Sequence, residues 1–271
     1  GCAGVAAERG MVACPTFGAG ELRSLDTGEL MKSLSTGPTG WQLTNDGEHR
    51  KFVADYRRFA DELVHERYLD AYKKIKSIDP NHLISFRMTV TGDPTYNWDQ
   101  NMPYDFRGVA KAMDFLAPEG YGRIGDWEKV KAGLFTVAYA RMCAPDKPVF
   151  WAEAGVSAWD DEAMAATPEK LDFQARFYRD FYKMMLMSHS NGVAWWWYPG
   201  GYRVNERSDY GIINPDGTDR PVTKAIREFG PKLTAERVIP KPDVWIEVDR
   251  DADARGLFGA YEKVKAVFQE M

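Results

Sequence analysis

The sequence has few cysteines, and they form no recognisable pattern. Its 271 residues include three, Cys2, Cys14 and Cys143, which are widely spaced and odd in number. Disulfide frameworks and zinc sites need paired or clustered cysteines, so neither is predicted. We therefore expect no metal site. The lack of a disulfide pattern also leaves the cellular compartment undetermined.

Long apolar runs, long basic runs and phosphate-binding loops are absent as well. No apolar run reaches the roughly 18 residues that a membrane-spanning helix requires, so a membrane is not an expected partner. The N-terminus lacks the charged-then-apolar layout of a signal peptide. The net charge is −5 with both signs interspersed, which argues against nucleic acid as a partner. No G-x-G-x-x-G motif follows a predicted strand, and we expect no cofactor.

What the sequence does contain is enough apolar material for a large core, with 44% hydrophobic and 13% aromatic residues. Its most informative stretch is residues 148–155 (PVFWAEAG), a short apolar run that ends in Glu153 and a glycine. This pattern predicts a buried parallel strand whose last residues reach the edge of a sheet. A carboxylate buried there costs several kcal/mol unless it is paired. Glu153 therefore either performs chemistry or pairs with a neighbouring loop.

Predicted strands and helices alternate along the rest of the chain. In order, they are a helix over 48–77, a strand over 83–90, an aromatic loop over 91–105, a helix over 106–113, a strand and glycine-rich turn over 114–122, a helix from 127 to about 142, the strand at 148–155, a helix opening at 167–169, a strand over 192–198 and a helix over 221–230. Four strand-loop-helix repeats predict an α/β fold with a parallel sheet, helices outside and functional residues on the loops after the strands. The rival architecture is an open doubly wound sheet, but the phosphate loop typical of it is missing.

The two ends of the chain differ from this alternating region. We predict a loop-rich segment over residues 1–47, with a short strand at 41–44, and a barrel-like domain over 48–232. Residues 233–271 are predicted as a linker and the start of an accessory segment, with a strand over 243–248 and a helix over 255–271.

Three motifs on successive strands carry a resemblance to a known family. They are residues 119–122 (EGYG), residues 151–155 (WAEAG) and residues 195–201 (WWWYPGG). The order of tyrosine, glutamate and tryptophan resembles strands six, seven and eight of clan A glycoside hydrolases. These are (β/α)8-barrel retaining enzymes of the cellulase and mannanase type, and family 5 is the most similar. The resemblance covers roughly residues 48–230 and implies a TIM-barrel fold of which strands five to eight are present.

The resemblance also implies roles for individual residues. Carried over by position, Glu153 is the nucleophile, Tyr121 hydrogen-bonds to it, and a tryptophan among residues 195–197 lines the sugar subsite. Strand alternation places Trp195 and Trp197 on one face, so we predict Trp197, nearest the strand end, and then Trp195 as substrate contacts. The expected partner is an oligo- or polysaccharide.

Further sugar contacts are predicted on the loops after the strands. The segment after the last strand is rich in hydrogen-bonding groups, and its candidates are Arg203, Glu206 and Asp209, which equally fit a loop held by salt bridges among themselves. Weaker candidates follow the earlier strands. They are Arg87, Trp98 and Glu119.

The sequence departs from the family pattern in one respect. The family places an acid/base carboxylate at the end of strand four, and this chain offers only Asp46 or Glu48 in that region. We expect instead that the acid lies upstream of residue 1 and that the chain is a half-barrel. A half-barrel leaves open sheet edges, which predicts self-association or pairing with a missing half. The resemblance implies a secreted or periplasmic location for the parent enzyme.

Two functions from different classes remain open at this point. The first is an O-glycosyl hydrolase, or a piece of one, that cleaves a β-linked glycan by retaining double displacement with Glu153 as nucleophile. The second is a catalytically inactive carbohydrate-binding or scaffold fragment that keeps the aromatic residues but lacks the acid/base carboxylate. A reagent that traps the nucleophile covalently discriminates between them.

Overall fold

A computed structural model describes residues 37–88, 93–96, 104–235 and 245–269 of the chain. In this described part, the elements in chain order are α1 (Gly40–Thr44), α2 (Arg50–Ile78), β1 (Ser85–Met88), α3 (Phe106–Ala110), β2 (Phe115–Pro118), α4 (Trp127–Lys131), α5 (Gly133–Cys143), β3 (Phe150–Ala154), β4 (Trp159–Asp160), β5 (Ala165–Ala166), α6 (Pro168–Ser188), β6 (Gly192–Trp195), α7 (Val222–Thr234) and α8 (Gly256–Gln269). None of the described helices is long and apolar enough to cross a membrane.

The chain divides into two compact units. The first contains the described residues up to Phe86, together with those of Pro94–Asp114 and Ile246–Val264. The second contains those of Arg87–Asp93, Phe115–Trp245 and Lys265–Met271. The domain boundaries predicted from the sequence stay a prediction.

The first unit is built on the long helix α2. Its 29 residues contain neither glycine nor proline, and one face is buried at Val53, Ala54, Arg57 and Ala60. The helix ends at Asp79, directly before a proline, as predicted. The sequence-based prediction of one long amphipathic helix is therefore confirmed.

A buried cluster of charged side chains lies in this unit. Arg250 is 3% exposed, and its Nη1 lies 2.6 Å from Asp61 Oδ2 and 2.7 Å from Asp105 Oδ2. Burial and the neighbouring Asp105 carboxylate raise the pKa of Asp61 to about 7, although Arg250 opposes the shift. Residues 246–264 thus contact the α2 helix through Arg250 within one unit, and the predicted C-terminal helix is confirmed as α8.

The second unit contains parallel strands in chain order. β3 pairs with β6 in parallel, with Phe150 opposite Gly192 and Trp151 opposite Val193. Leu116 of β2 forms a parallel bridge with Val149, directly before β3. The last two residues of β1, Arg87 and Met88, also belong to this unit. Each of these strands is followed by a helix, so the predicted βα units are confirmed.

Helix α6 covers the strands of the second unit with aromatic and methionine side chains. Thr167 caps its first turn and Pro168 occupies the first helical position, as the sequence predicts. Its fully buried residues include Phe177, Tyr178, Phe181, Met184 and Met185. Burying each large side chain contributes about 1.5–3 kcal/mol, so this layer fixes the orientation of the strands beside it.

Some local predictions are wrong. Residues 41–44 are helical, because Thr39 and Gln42 form a capping box that starts α1. The predicted strand over 243–248 is not formed in its described part, which begins at residue 245. The helix predicted to end at Gly230 continues as α7 to Thr234.

Candidate active site

The carboxylate of Glu153 lies at the C-terminal end of β3. Its neighbours Trp151 and Ala154 are fully buried, whereas the Glu153 side chain is 16% exposed. Gly155, which follows Ala154, has no room for a side chain, because an added Cβ would lie 2.1 Å from the Trp196 carbonyl oxygen. Glycine is therefore required where the chain leaves the strand, and it lets the loop after β6 approach Glu153.

Tyr121 is brought to Glu153 by the neighbouring strand β2. The residue begins a 3-10 turn shortly after β2 ends at Pro118, and its hydroxyl donates a hydrogen bond to Glu153 Oε2 at 3.0 Å. Burial and the negative charge of Glu153 raise the pKa of the phenol far above its usual value. Tyr121 is therefore a neutral donor at every physiological pH, as hydrogen bonding to a carboxylate requires.

Arg87 contacts two carboxylates on adjacent strands. Its Nη1 donates to Glu153 Oε1, and its Nε lies 2.9 Å from Glu119 Oε1. Glu119 and Glu153 face each other across a parallel bridge, and the backbone N–H of Gly120 donates to the Glu153 carbonyl at 2.6 Å. The structure therefore brings four of the residues singled out in the sequence, Arg87, Glu119, Tyr121 and Glu153, to one place.

The three tryptophans after Ala194 point in different directions. The Trp195 indole stacks on Tyr178 of α6 with ring centroids 3.8 Å apart and donates to the Tyr182 hydroxyl at 2.8 Å. Trp195 is therefore a packing residue between β6 and α6, and its role as a sugar contact stays a prediction. β6 ends at Trp195, so Trp197 lies outside the strand and strand alternation does not fix the direction of its side chain.

Trp196 and Trp197 form an aromatic pair beside the loop after β6. Their ring centroids are 5.3 Å apart, and the Arg203 guanidinium lies 4.3 Å from the Trp197 centroid and 5.0 Å from that of Trp196. Glu206 pairs with Arg203 at 3.0 Å and accepts from the Trp196 indole at 3.3 Å. Arg203 and Glu206 therefore form the salt bridge that the sequence left open as an alternative, and cover part of the indole surface.

Asp209 does not belong to this surface. It is 2% exposed, and both of its carboxylate oxygens accept hydrogen bonds from Arg220, at 2.9 and 2.7 Å. Its backbone N–H also donates to Ser157 Oγ at 3.0 Å. The side chain ties the loop after β6 to the start of α7, and a sugar contact by Asp209 stays a prediction that this pairing does not favour.

The remaining candidates are not assembled with Glu153 by the described residues. Trp98 lies outside the described part of the chain. Asp46 and Glu48 are exposed residues of the first unit, and an acid/base role for either stays a prediction. Among the described residues, no group of three or more His, Cys, Asp or Glu side chains is arranged to hold a metal ion.

Sequence reasoning missed the residues that hold the site loops in place. Gln174 of α6 is fully buried, and its amide donates to the carbonyls of Val156, Tyr210 and Gly211 at 3.1–3.3 Å. The Tyr210 ring packs edge-on to that of Tyr121 with centroids 6.2 Å apart. The only available signal was a glutamine at an apolar position of an amphipathic helix.

The comparisons identify a fold. No protein-family model matches the sequence, and a search of curated proteins gives no match. Among solved structures, GH5_18 from Streptomyces cattleya in complex with GlcNAc aligns with a TM-score of 0.54 at 16% identity, covering 84% of this chain and 64% of that chain. A variant of the same Streptomyces cattleya protein in complex with Manb1-4GlcNAc gives a TM-score of 0.53 at 16% identity, covering 83% of this chain and 67% of that chain.

This chain thus spans less than two thirds of the first of these structures. Identities this low relate the folds alone. The predicted fold class is confirmed by the parallel βα units and the alignment together. The two aligned structures have the (β/α)8-barrel fold, and the described strands and helices of this chain correspond to a part of that fold.

Proposed function

We propose that this chain is the nucleophile-bearing part of a retaining glycoside hydrolase and that Glu153 is its nucleophile. One observation carries the proposal. At the C-terminal end of a barrel strand, where such enzymes hold their active sites, the Glu153 carboxylate accepts a hydrogen bond from Tyr121 and pairs with Arg87. An ordinary surface salt bridge does not require two donors from different strands to hold one carboxylate.

The proposed reaction is a double displacement. A carboxylate oxygen of Glu153 forms a bond to the anomeric carbon as the bond to the leaving oxygen breaks, and the leaving oxygen takes a proton from an acid. Water then gives a proton to the conjugate base of that acid and attacks the anomeric carbon, the Glu153 carboxylate leaves, and the configuration is retained. Tyr121 binds Glu153 Oε2 at 3.0 Å and Arg87 binds Oε1, so the two donors together hold the carboxylate in one orientation for the attack. The acid is not assigned to a described residue.

The proposed substrate is a β-linked oligo- or polysaccharide. Sugar rings stack their C–H faces on indoles, and Trp197 with Trp196 offers such a surface on the loop that follows β6. Arg203 and Glu206, which contact these indoles, supply hydrogen-bonding groups for hydroxyls. The Manb1-4GlcNAc complex of the Streptomyces cattleya variant supports a β-linked substrate for this chain.

The test uses aryl glycosides whose leaving group needs no acid. Dinitrophenyl β-mannoside, β-glucoside, β-xyloside and β-N-acetylglucosaminide release an acidic phenol, so a missing acid/base carboxylate does not prevent the first step. We expect the wild-type chain to release dinitrophenolate from at least one of them and Glu153→Gln to be inactive. With Glu153→Ala, added azide replaces the lost nucleophile and yields the α-glycosyl azide.

Two results would contradict the proposal. One is turnover by Glu153→Gln at the wild-type rate. The other is oligosaccharide binding without release of dinitrophenolate from any of the four substrates, which would instead favour a carbohydrate-binding fragment. The matched control is Glu228→Gln, a glutamate paired with Lys232 on the exposed side of α7, which we expect to leave turnover unchanged.

A further inference from the structure

Glu119 has no place in the reaction described above, yet it is the most deeply buried carboxylate beside the nucleophile. The residue is 5% exposed and lies directly opposite Glu153 across the parallel bridge between neighbouring strand ends. Its Oε1 is 2.9 Å from Nε of Arg87, whose Nη1 donates to Glu153. A single guanidinium therefore joins the two carboxylates.

The burial of Glu119 argues against its predicted role as a direct sugar contact. Its side chain is 7% exposed, whereas the Arg87 side chain between the two carboxylates is 57% exposed. Burying a charged carboxylate costs free energy unless the carboxylate is paired, and here its partner is Arg87. Any influence of Glu119 on the reaction must therefore pass through Arg87 and through its own electric field.

The charges of the three residues change during the proposed reaction. When both carboxylates are ionised and Arg87 is protonated, the group of Arg87, Glu119 and Glu153 has a net charge of −1 before attack. Formation of the glycosyl ester neutralises Glu153 and leaves Arg87 paired with Glu119 at a net charge of zero. The sugar carries positive charge in the oxocarbenium-like transition state, which a net negative group stabilises.

We propose that Glu119 is a positioning residue for this reaction: it holds Arg87 against Glu153 and keeps the group negative when the sugar becomes cationic. The inference rests on the proposed function of Glu153. Without Glu119, the group is neutral before attack and carries one uncompensated positive charge after it. Glu119 therefore supports formation of the covalent intermediate and contributes little to sugar binding.

The first experiment measures covalent trapping by a fluorosugar with a dinitrophenolate leaving group, with separate constants for binding and for bond formation. In Glu119→Gln we expect the bond-forming rate constant to fall roughly 10- to 100-fold, the effect of a unit charge on a developing charge at an effective dielectric constant near 20. The binding constant is expected to stay within about threefold of wild type. Thermal unfolding checks that the isosteric variant is folded, and Glu228→Gln is the matched control.

A double variant separates this role from a merely structural one. Arg87→Met combined with Glu119→Gln removes one charge of each sign and restores the net charge of −1, so we expect it to trap faster than Glu119→Gln alone. Purely structural damage would instead accumulate in the double variant. The proposal would be overturned if the double variant's bond-forming rate constant fell by the combined losses of the two single variants. It would also be overturned if Glu119→Gln changed only the binding constant.

A second measurement needs no sugar. The carboxyl carbon of Glu153, labelled with ¹³C and assigned by its loss in Glu153→Gln, is titrated by NMR; the groups facing it are Arg87, Glu119 and the Tyr121 hydroxyl. Glu119→Gln is expected to move the titration midpoint to lower pH and Arg87→Met to higher pH. If the midpoints shift in this way but the wild-type chain is not trapped by the fluorosugar, the proposed function is overturned and the coupling of Glu119 to Glu153 stands. If the midpoints do not move, the coupling of Glu119 to Glu153 is overturned.

Discussion

The ion pair between Asp209 and Arg220 gives the sharpest stability prediction. Both residues are 2% exposed and form two hydrogen bonds, and Arg220 also donates to the Gly211 carbonyl and the Asn214 side chain. The change Asp209→Asn keeps the shape and one acceptor but removes the negative charge. Arg220 is then left as a buried cation without a counter-charge.

Breaking a buried pair of this kind by removing one partner costs about 3–5 kcal/mol, and the acceptor kept by asparagine favours the lower end. For a chain of this size, each kcal/mol lowers Tm by about 2–4 °C, so we expect a decrease of about 6–12 °C. The matched control is Asp219→Asn, which removes a pair with Arg227 at 2.6 Å whose side chains are 50% and 68% exposed. We expect its Tm to stay within about 2 °C of wild type.

The assay is thermal unfolding by circular dichroism or calorimetry, repeated across acidic pH. Burial raises the pKa of Asp209, but the hydrogen bonds from Arg220 outweigh it and hold the pKa below its usual value. The stabilisation is therefore present above about pH 4 and is lost as pH falls through the lowered pKa, so the difference between wild type and Asp209→Asn shrinks there. Equal effects of Asp209→Asn and Asp219→Asn, or loss of oligosaccharide affinity with unchanged stability, would refute this reasoning.

Four further predictions follow from the same geometry. Tyr121→Phe removes a hydrogen bond to a charged group and should slow fluorosugar trapping by about 10-fold or more with unchanged binding, as measured by intact-mass kinetics. Trp197→Ala should weaken oligosaccharide binding by about 10-fold in calorimetric titration without lowering Tm. Trp195→Ala should instead cost about 3–5 kcal/mol in denaturant unfolding, because its indole packs against α6. The pKa of Asp61 is raised to about 7 in the folded chain, so protonated Asp61 contributes to the free energy of unfolding fully below about pH 4, and this contribution is lost as pH rises through 7. Asp61→Asn should therefore make the free energy of unfolding depend less on pH across that range, as measured by denaturant unfolding.

The parts predictable from the sequence are those with short-range signals. The apolar run that ends in Glu153 and the glycine-rich turn that holds Tyr121 both indicate strand ends, and their order along the chain specifies neighbouring strands. Helix α6 is equally predictable, since its capping threonine, the proline at its first position and its apolar face all indicate a helix that begins there.

The parts that could not be predicted depend on contacts between distant residues. Arg87 meets Glu153 across 66 positions of sequence, and no local pattern specifies that pairing. The pairing of Asp209 with Arg220 could not be predicted from the sequence either, because loop composition does not distinguish a buried acid from an exposed one. Strand alternation could not place Trp197, because it holds only as far as the strand extends and β6 ends at Trp195.

The central claim is that Glu153 attacks the sugar. The most direct measurement incubates the chain with a panel of fluorosugars that carry a dinitrophenolate leaving group, then locates the added mass by peptide mapping. The account predicts one sugar per chain, on the peptide that contains Glu153 and absent from Glu153→Gln. A label on another carboxylate, or no label from a sugar that the chain demonstrably binds, would contradict it.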